Sequence, residues 1–373
     1  MESQEVHIVG GGLSGLITAM HLLKNGFEVT VYERNPYPKH KVCGEYISNE
    51  VLPYLKSLGI DPQRHGAVTL KKLQCSSAKG RGVVVDLPLG GFGLSRYTLD
   101  HIIYKEVLLA GGKVLKEQVE NILFYDHTFE IKTYSGKTFK ADIVVGAYGK
   151  RANLDITLSR KFIQQKSPWM AVKSHYKADF QSDLVGLHNF DGGYCGISNV
   201  EHGLVNVCYL AQLNSFQQYK DLTIYQEQVL RKNKYLNDFF KNAISVFEKP
   251  LTISQISFDR KERVANHILM CGDSASLIHP LCGNGMAMAI MGARILSTCI
   301  IKNRQNRGTR QELENAYTQQ WENEFRARLQ WGRGLQRILI KPMAANLGIA
   351  TMQHTPRLFK KLIEQTHGKM ESV

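Results

Sequence analysis

The sequence predicts a mixed α/β and α+β protein. A strand–helix–strand unit forms the N-terminus, an antiparallel sheet is inserted into it, and helices close the C-terminus. Three observations carry this prediction. A buried strand pattern enters a glycine cluster and leaves it as a helix within the first 23 residues. A second strand–glycine–helix passage recurs near residue 270. Several of the segments between them alternate apolar and polar residues, as strands with one buried face do.

Val6-His-Ile-Val-Gly10 reads as a short buried strand that enters Gly10-Gly11-Gly12-Leu13-Ser14-Gly15. Leu16, Ala19, Leu22 and Leu23 then recur at helical spacing, and Asn25-Gly26 stops the helix. A β-rich run, Phe27 to Tyr32, ends at Glu33. Such a glycine pattern says little alone. Placed after a strand, opening a helix and followed by an acid at the end of the next strand, it predicts a Rossmann-like dinucleotide site. Gly10 permits the tight turn, Gly12 lets the backbone approach a pyrophosphate, and Gly15 lets the helix pack on the strand. The loop residues Leu13 and Ser14 belong to the helix N-terminus, whose free N–H groups and dipole face the phosphates. Glu33 can accept hydrogen bonds from a ribose diol. Its charge disfavours a 2′-phosphate there, although Arg34 is adjacent.

Composition bounds the rest. The 373 residues include 47 Lys plus Arg and 33 Asp plus Glu, a formal charge of +14. At roughly 150 residues per domain, two or three domains are expected. The 43% hydrophobic content supports a large core and excludes wholesale disorder, a disulfide-stapled miniprotein and a collagen-like fibre. The N-terminus has neither the basic nor the apolar region of a secretory signal. The most apolar stretch, Met286 to Ile301, contains Arg294 and is short for a membrane span. Seven scattered cysteines without CxxC pairs read as free thiols, with no metal site, in a reducing cytoplasm. The positive charge favours anionic partners: a dinucleotide phosphate, an anionic or carrier-bound small-molecule substrate, or less favourably a membrane surface. No nucleic-acid signature accompanies it.

The downstream motif is His267-Ile-Leu-Met-Cys271-Gly272-Asp273-Ser-Ala275, followed by His279-Pro280-Leu281-Cys282-Gly283-Asn284-Gly285-Met286 and an apolar helix over 287–301. This resembles the second flavin signature of the large FAD family that holds para-hydroxybenzoate hydroxylase-like monooxygenases and geranylgeranyl reductase-like enzymes. The resemblance implies a Rossmann-like FAD-binding domain of the glutathione-reductase type. Gly272 and Asp273 would hold the ribityl chain or pyrophosphate, and Gly283, Gly285 and Met286 would lie beside the isoalloxazine. Helix-opening glycines agree with that role, because a helix N-terminus stabilises the negative charge of a reduced flavin.

Three shorter segments extend the resemblance. Lys41-Val42-Cys43-Gly44-Glu45 is similar to the Cys-Gly loop of the reductase branch, which lies near the flavin. Ser95-Arg96-Tyr97-Thr98-Leu99-Asp100 is similar to a helix start whose Arg reaches the FAD phosphates, a role suited to a rigid guanidinium fork. Ala141-Asp-Ile-Val-Val-Gly146-Ala147-Tyr148-Gly149 matches the family's middle strand, but its usual Ala-Asp-Gly ending is Ala-Tyr-Gly. That Asp is linked to FAD and nicotinamide binding in the hydroxylases, so the departure weakens the expectation of NAD(P)H as the transient electron donor. Val119 falls where the family's backbone touches adenine.

The FAD-binding domain is expected to be discontinuous, from 1–70, 94–155 and 255–305. Within it, Phe129 to Phe139 alternates around Ser135-Gly136, a hairpin signal. Residues 71–93 and 156–254 form the expected substrate domain, with strands at 72–76, 82–86, 169–176, 192–197 and 203–210 and a helical stretch over 224–246. Residues 306–373 form the C-terminal helical region. Thr309-Arg-Gln-Glu312 is a capping box, and Thr355-Pro356 marks the start of a last helix with Leu358, Phe359, Leu362 and Ile363 on one face.

A single dinucleotide motif argues against the layout of the two-nucleotide-domain flavoenzymes. The resemblance implies one of two chemistries. A monooxygenase forms a flavin hydroperoxide and hydroxylates a small aromatic or polyketide-like secondary metabolite. A geranylgeranyl reductase-like enzyme delivers hydride to carbon–carbon double bonds. Cys43-Gly44-Glu45 favours the reductase. Gly193-Tyr194-Cys195-Gly196-Ile197-Ser198 lacks the Trp, Phe and Pro of the reductases' lipid-binding motif, and this favours the monooxygenase. Tyr194 is a candidate for the pocket wall. His279 is a candidate proton shuttle, since its unperturbed pKa suits that work. No general base is named. A flavin electron carrier or a basic docking module is the alternative outside catalysis.

Overall fold

The computed structural model describes residues 4–277 and 283–339, and beyond them isolated positions between 344 and 368. The expected last helix, and with it Pro356, Leu358, Phe359 and Leu362, lies outside the described residues, although Ile363 itself is described and buried.

The N-terminal pattern folds as its periodicity requires. Val6, Ile8, Val29 and Val31 are buried in the centre of a six-stranded sheet. Its strand order is Val264–Ala265, Ile268–Met270, Ile143–Gly146, Glu5–Val9, Glu28–Tyr32 and Lys113–Leu115. All pairs are parallel except the first, a hairpin at the edge. Parallel sheets need cover on both faces, which explains the unbroken apolar strands. The helix Leu13–Leu23 packs between the helices Arg96–Leu109 and Gly285–Gln305. Leu16, Ile17 and Leu22 are wholly buried there. Each such side chain contributes roughly 1.5–3 kcal/mol relative to exposure. The helix Gly285–Gln305 is longer than its apolar stretch suggested and is apolar enough to cross a membrane by composition, but 67% of its most apolar window is buried inside the protein. It is a core helix.

A second sheet of nine strands runs Ile244–Ser245, Trp169–Lys177, Leu204–Gln212, Gly193–Val200, Leu184–Phe190, Val68–Ser76, Gly82–Gly93 and Tyr46–Ser48, with Leu251–Ser254 also paired to Trp169–Lys177. It departs from expectation in three ways. The sheet is mixed, because Leu184–Phe190 runs parallel to Val68–Ser76. That strand is absent from the sequence reading, since Gly186, His188 and Asn189 interrupt its apolar pattern. The helical stretch over 224–246 breaks into Leu222–Gln228 and Lys234–Asn242 and then turns into a strand. The break has a local cause. The Asn233 side chain caps the second helix through Tyr235 N–H, and its amide donates to Ser76 Oγ, Ser77 O and Asn189 O. A third small sheet, Val119–Tyr125, Thr128–Thr133 and Thr138–Ala141, contains the expected hairpin.

The two faces of the large sheet differ. On one, Met170, Val172, Val205, Val207 and Ile197 pack against Tyr225, Leu236, Phe239 and Phe240. Because register partners share a face, the other face carries Trp169, Ala171, Lys173 and His175 opposite Gln212, Leu210, Cys208 and Asn206. Tyr194, Gly196 and Ser198 continue it on the next strand.

His188 lies in the core of this sheet, paired with Ser76 Oγ at 2.9 Å and stacked on Tyr235. Burial pushes its pKa from 6.5 down to about 3, and burial likewise holds His21 near 4. The unfolded chain therefore binds protons that the folded chain refuses. Stability is fully present above pH 6.5 and declines as pH falls towards these lowered values. The melting temperature is expected to drop between pH 6.5 and 4, and His188→Gln to flatten that drop. An unchanged slope in the variant would contradict the assignment.

Candidate functional site

The glycine loop is shaped by close approach. Gly10 has φ +109°, and a Cβ there would collide with the Ala147 carbonyl on the neighbouring strand. A Cβ on Gly15 would strike the Gly10 carbonyl. Gly12 differs. It lies at the N-terminus of the helix Leu13–Leu23, in extended backbone, and a Cβ there would meet nothing nearer than Lys41 Nζ at 3.7 Å and Arg96 Nη2 at 3.8 Å. No side chain caps this helix, and no acidic residue sits in its first turn. Its first N–H groups thus face open space beneath two cations.

Those cations are held in place. Arg96 Nε and Nη2 donate to Asp100 Oδ1 and Oδ2 at 2.7 and 2.8 Å, and Lys41 Nζ lies 3.1 Å from Oδ2. Burial pushes the Asp100 carboxyl up, but Arg96 and Lys41 outweigh it and hold it well below the usual range. Two cations and one carboxylate leave the cradle a net positive charge. Glu33 stands at the other end of the loop, accepting from Gly11 N–H at 3.1 Å and from Asn35. The Tyr37 hydroxyl donates to the Gly11 carbonyl.

The downstream motif converges on the same loop. Strand Ile268–Met270 pairs with Ile143–Gly146, which pairs with Glu5–Val9. Gly272 turns directly onto Ser14, where a Cβ would collide with the Ser14 side chain. Asp273 follows, half-buried. Lys261, which the sequence reading missed, clamps this turn. Its Nζ donates to the carbonyls of Asp273 at 2.7 Å and Lys150 at 2.9 Å and lies over the Phe162 ring. Burial lowers its pKa to about 8. Gly149 N–H donates to Ser274 Oγ at 2.9 Å, tying the middle strand's end to the same turn. Gly285 opens the long core helix, Met286 is buried in it, and Gly283 rests on the Tyr46 ring.

The Cys43-Gly44 loop is fixed from the second sheet. Asn206 Nδ2 donates to Gly44 O at 2.9 Å and Cys43 O at 3.3 Å. Beside it lies a wholly buried ionic set that sequence reasoning missed. Glu45, in the left-handed region at φ +54°, accepts from Lys173 Nζ, from His175 Nε2 at 2.7 Å and from Arg96 N–H at 2.7 Å. A second buried carboxylate, Glu201, accepts from Ser95 N–H at 2.8 Å and from the Ser95 and Thr98 hydroxyls. Both carboxylates belong at this helix N-terminus, where the dipole favours negative charge. They tie the Arg96 helix to the second sheet. A sequence signal existed: Lys173 and His175 share one face of their strand with Trp169 and Ala171.

Other predicted residues are placed as follows. Arg34 is exposed. Val119 is buried at the start of its strand and pairs with Thr133. Tyr194 packs in an apolar cluster with Trp169, Ala171, Leu210, Ile256 and Leu277. His279 lies outside the described residues. The six described cysteines are free thiols, and the described residues contain no cluster that could hold a metal ion.

A family model described as an NAD(P)-binding Rossmann-like domain matches residues 8–39. Kynurenine 3-monooxygenase from Salinispora tropica is 23% identical over 330 residues, covering 80% of this chain and 72% of that protein. Conditioned medium factor receptor 1 from Dictyostelium discoideum is 23% identical over 361 residues, covering 86% and 68%. Among solved structures, the flavin-dependent brominase Bmp2 superposes with a TM-score of 0.79 at 16% identity, covering 98% of this chain and 93% of that one. A geranylgeranyl bacteriochlorophyll reductase-like protein from Thermoplasma acidophilum gives 0.80 at 17% identity, covering 98% and 97%.

In fold the chain is similar to flavin-dependent enzymes. The flavoprotein fold accounts for the geometry around Gly12. An uncapped helix end, an open glycine and two fixed cations form a cradle that a diphosphate fits and that a Cβ would begin to fill.

Proposed function

We propose that this protein binds FAD across the Gly12 and Gly272–Asp273 turns and is a monooxygenase. It would use NAD(P)H and O₂ to hydroxylate a small aromatic or polyketide-like substrate. The balance is substrate–H plus O₂ plus NAD(P)H plus H⁺, giving substrate–OH, water and NAD(P)⁺. The observation that carries the reading is the contact of Gly272 with Ser14 beneath Arg96 and Lys41. The similarity to a kynurenine 3-monooxygenase over 80% of this chain favours this chemistry over the alternatives.

FAD, when bound, supplies the electron transfer to oxygen that side chains cannot perform. The chain's own residues position it. The N–H groups around Gly12, Leu13 and Ser14 and the Arg96 and Lys41 side chains would hold the diphosphate, with Gly10 and Gly15 shaping the loop. Glu33 would take the ribose, with Arg34 at the rim, and Val119 would border the adenine. Gly272 and Asp273 would hold the ribityl chain, and Lys261 keeps their turn in place. Cys43 and Gly44 would flank the ring system, while Gly283, Gly285 and Met286 present a helix N-terminus to its electron-rich edge. Tyr194, with His279, would border the substrate.

We read the parallel sheet as a glutathione-reductase-type FAD domain (1–70, 94–155 and 255–305). Most of the large sheet (71–93 and 156–254) would be the inserted substrate domain, although its edge strand Tyr46–Ser48 falls in the first FAD segment, and 306–373 would be the C-terminal helical region. The 70/71 boundary falls inside the strand Val68–Ser76. A cytoplasmic setting, a small-molecule partner and no nucleic acid complete the reading, with a membrane contact less favoured. A second reading, double-bond reduction, is supported by the Cys43-Gly44-Glu45 loop and the reductase-like structural neighbour.

Anaerobic reduction followed by oxygen separates the two. FAD-loaded protein bleached by NAD(P)H, with substrate-dependent O₂ uptake and a product heavier by one oxygen, is expected. A product heavier by two hydrogens, with no O₂ uptake, would select the reductase instead.

A further inference from the structure

Asn284 stands between Gly283 and Gly285, wholly buried, at the N-cap of the helix Gly285–Gln305. Asparagine is among the best residues for that position, because its side-chain oxygen accepts from N–H groups of the first turn. Here it does not. The helix has no side-chain cap among the described residues, and no acid stands in its first turn. The helix Leu13–Leu23 is open at its N-terminus in the same way, and there the opening faces the diphosphate cradle. An asparagine at an N-cap that leaves its own helix uncapped is held by another group.

That group is Glu50, whose carboxylate is hydrogen-bonded by the Asn284 side chain. Glu50 lies in the turn Asn49–Val51, directly after the strand Tyr46–Ser48, and is 4% exposed. Arg328 approaches it from the helix Arg310–Leu339, but Nη1 stays 3.4 Å from Glu50 Oε1 while Nη2 donates to Glu324 at 2.6 Å. The carboxylate is thus left to other donors. A hydrogen bond to an ionised acceptor is about twice as strong as a neutral one, which is why the Asn284 amide turns to Glu50 and away from its helix.

The C-terminal segment closes the same junction. The Gly368 backbone N–H donates to the Glu50 carboxylate. A Cβ on Gly368 would overlap Glu50 Oε2 and Arg328 Nη2. Ile363, in the same segment, packs in a cluster with Tyr46, whose ring supports Gly283. Two contacts of this segment therefore lead to the Gly283–Gly285 turn, one through Tyr46 and one through Glu50.

We propose that Glu50 is a positioning residue for the flavin: it draws the Asn284 amide off the helix end, leaves the Met286 and Ala287 N–H groups to the electron-rich edge of the ring, and is itself kept in place by Gly368. The inference rests on the FAD reading above and gives roles to residues which that reading leaves unused. The test is the midpoint potential of FAD-loaded protein. Glu50→Met should let Asn284 cap its helix and withdraw one N–H from the reduced, negatively charged flavin. Glu50→Gln is the reference, because it removes the same charge but keeps an acceptor oxygen. Relative to oxidised flavin, reduced flavin should bind about tenfold more weakly in Glu50→Met than in Glu50→Gln, a two-electron midpoint about 30 mV lower. Adding Asn284→Ala to both should erase the difference, since alanine cannot cap. Gly368→Ala should lower the wild-type potential in the same direction, and only while Asn284 is present. Equal potentials in Glu50→Met and Glu50→Gln, or a difference that survives Asn284→Ala, would overturn the proposal. If Glu50→Met does not fold, an unchanged potential in Gly368→Ala overturns it instead. Each of these outcomes leaves the FAD reading standing, whereas wild-type protein that takes up no FAD refutes that reading itself.

Discussion

Lys173→Met is expected to destabilise the protein by about 3–5 kcal/mol, the usual cost of stranding one partner of a buried ion pair. Lys173 and Glu45 are both fully buried, and the substitution leaves the Glu45 carboxylate with His175 and one backbone N–H. The sign with pH follows from the same geometry. Burial pushes the Glu45 carboxyl up, but Lys173 and His175 outweigh it and hold it below its ordinary 4.5. The pair therefore contributes stability above about pH 4.5 that is lost as pH falls further. Urea melts at neutral pH should show the full loss. The double variant Lys173→Met with Glu45→Met should recover most of it, because an apolar pair of similar size leaves no buried charge. A single variant as stable as the parent would mean that the ionic set is not closed in solution.

Gly12→Asp is expected to leave the fold intact and to weaken FAD binding by about a hundredfold or more. Gly12 has φ −82°, which any residue adopts, and space lies in front of it. A carboxylate there would pair with Lys41 and Arg96 and repel the diphosphate at a few ångströms, worth a few kcal/mol at surface-like dielectric. Gly10→Ala is the informative contrast. With φ +109° and the Ala147 carbonyl in the way, it should fail in folding rather than in binding. Apo melting curves and flavin titrations on the two variants separate these outcomes. Equal loss of folding in both would remove the distinction between a shaping glycine and a ligand-facing one.

The nucleotide half of the molecule was legible because its signals are local. Strand, glycine loop and helix lie within 23 residues; Gly10 and Gly15 answer backbone contacts, and Gly12 leaves the space in front of the helix open. The second sheet was less so. Leu184–Phe190 escaped because buried polar residues interrupt its alternation, and His188 and Asn189 find partners only once Ser76 and Asn233 are folded beside them. The helix break at Asn233 has the same origin. The Glu45 set is more remote still, since Lys173 and His175 lie 128 and 130 residues from Glu45 in sequence. Lys261 reads as an ordinary surface lysine until the Lys150 and Asp273 carbonyls are brought to it. Long-range polar partnerships of this kind leave no periodic trace.

Titration of the purified chain with FAD, followed by a structure of the complex, decides whether the two distant glycine turns share one FAD molecule. One flavin per chain is expected, its diphosphate on the N–H groups at Gly12 beneath Arg96 and Lys41, and Asp273 against the same cofactor. Failure to bind FAD at any ratio, or a flavin bound elsewhere with the Gly12 turn untouched, would contradict the account.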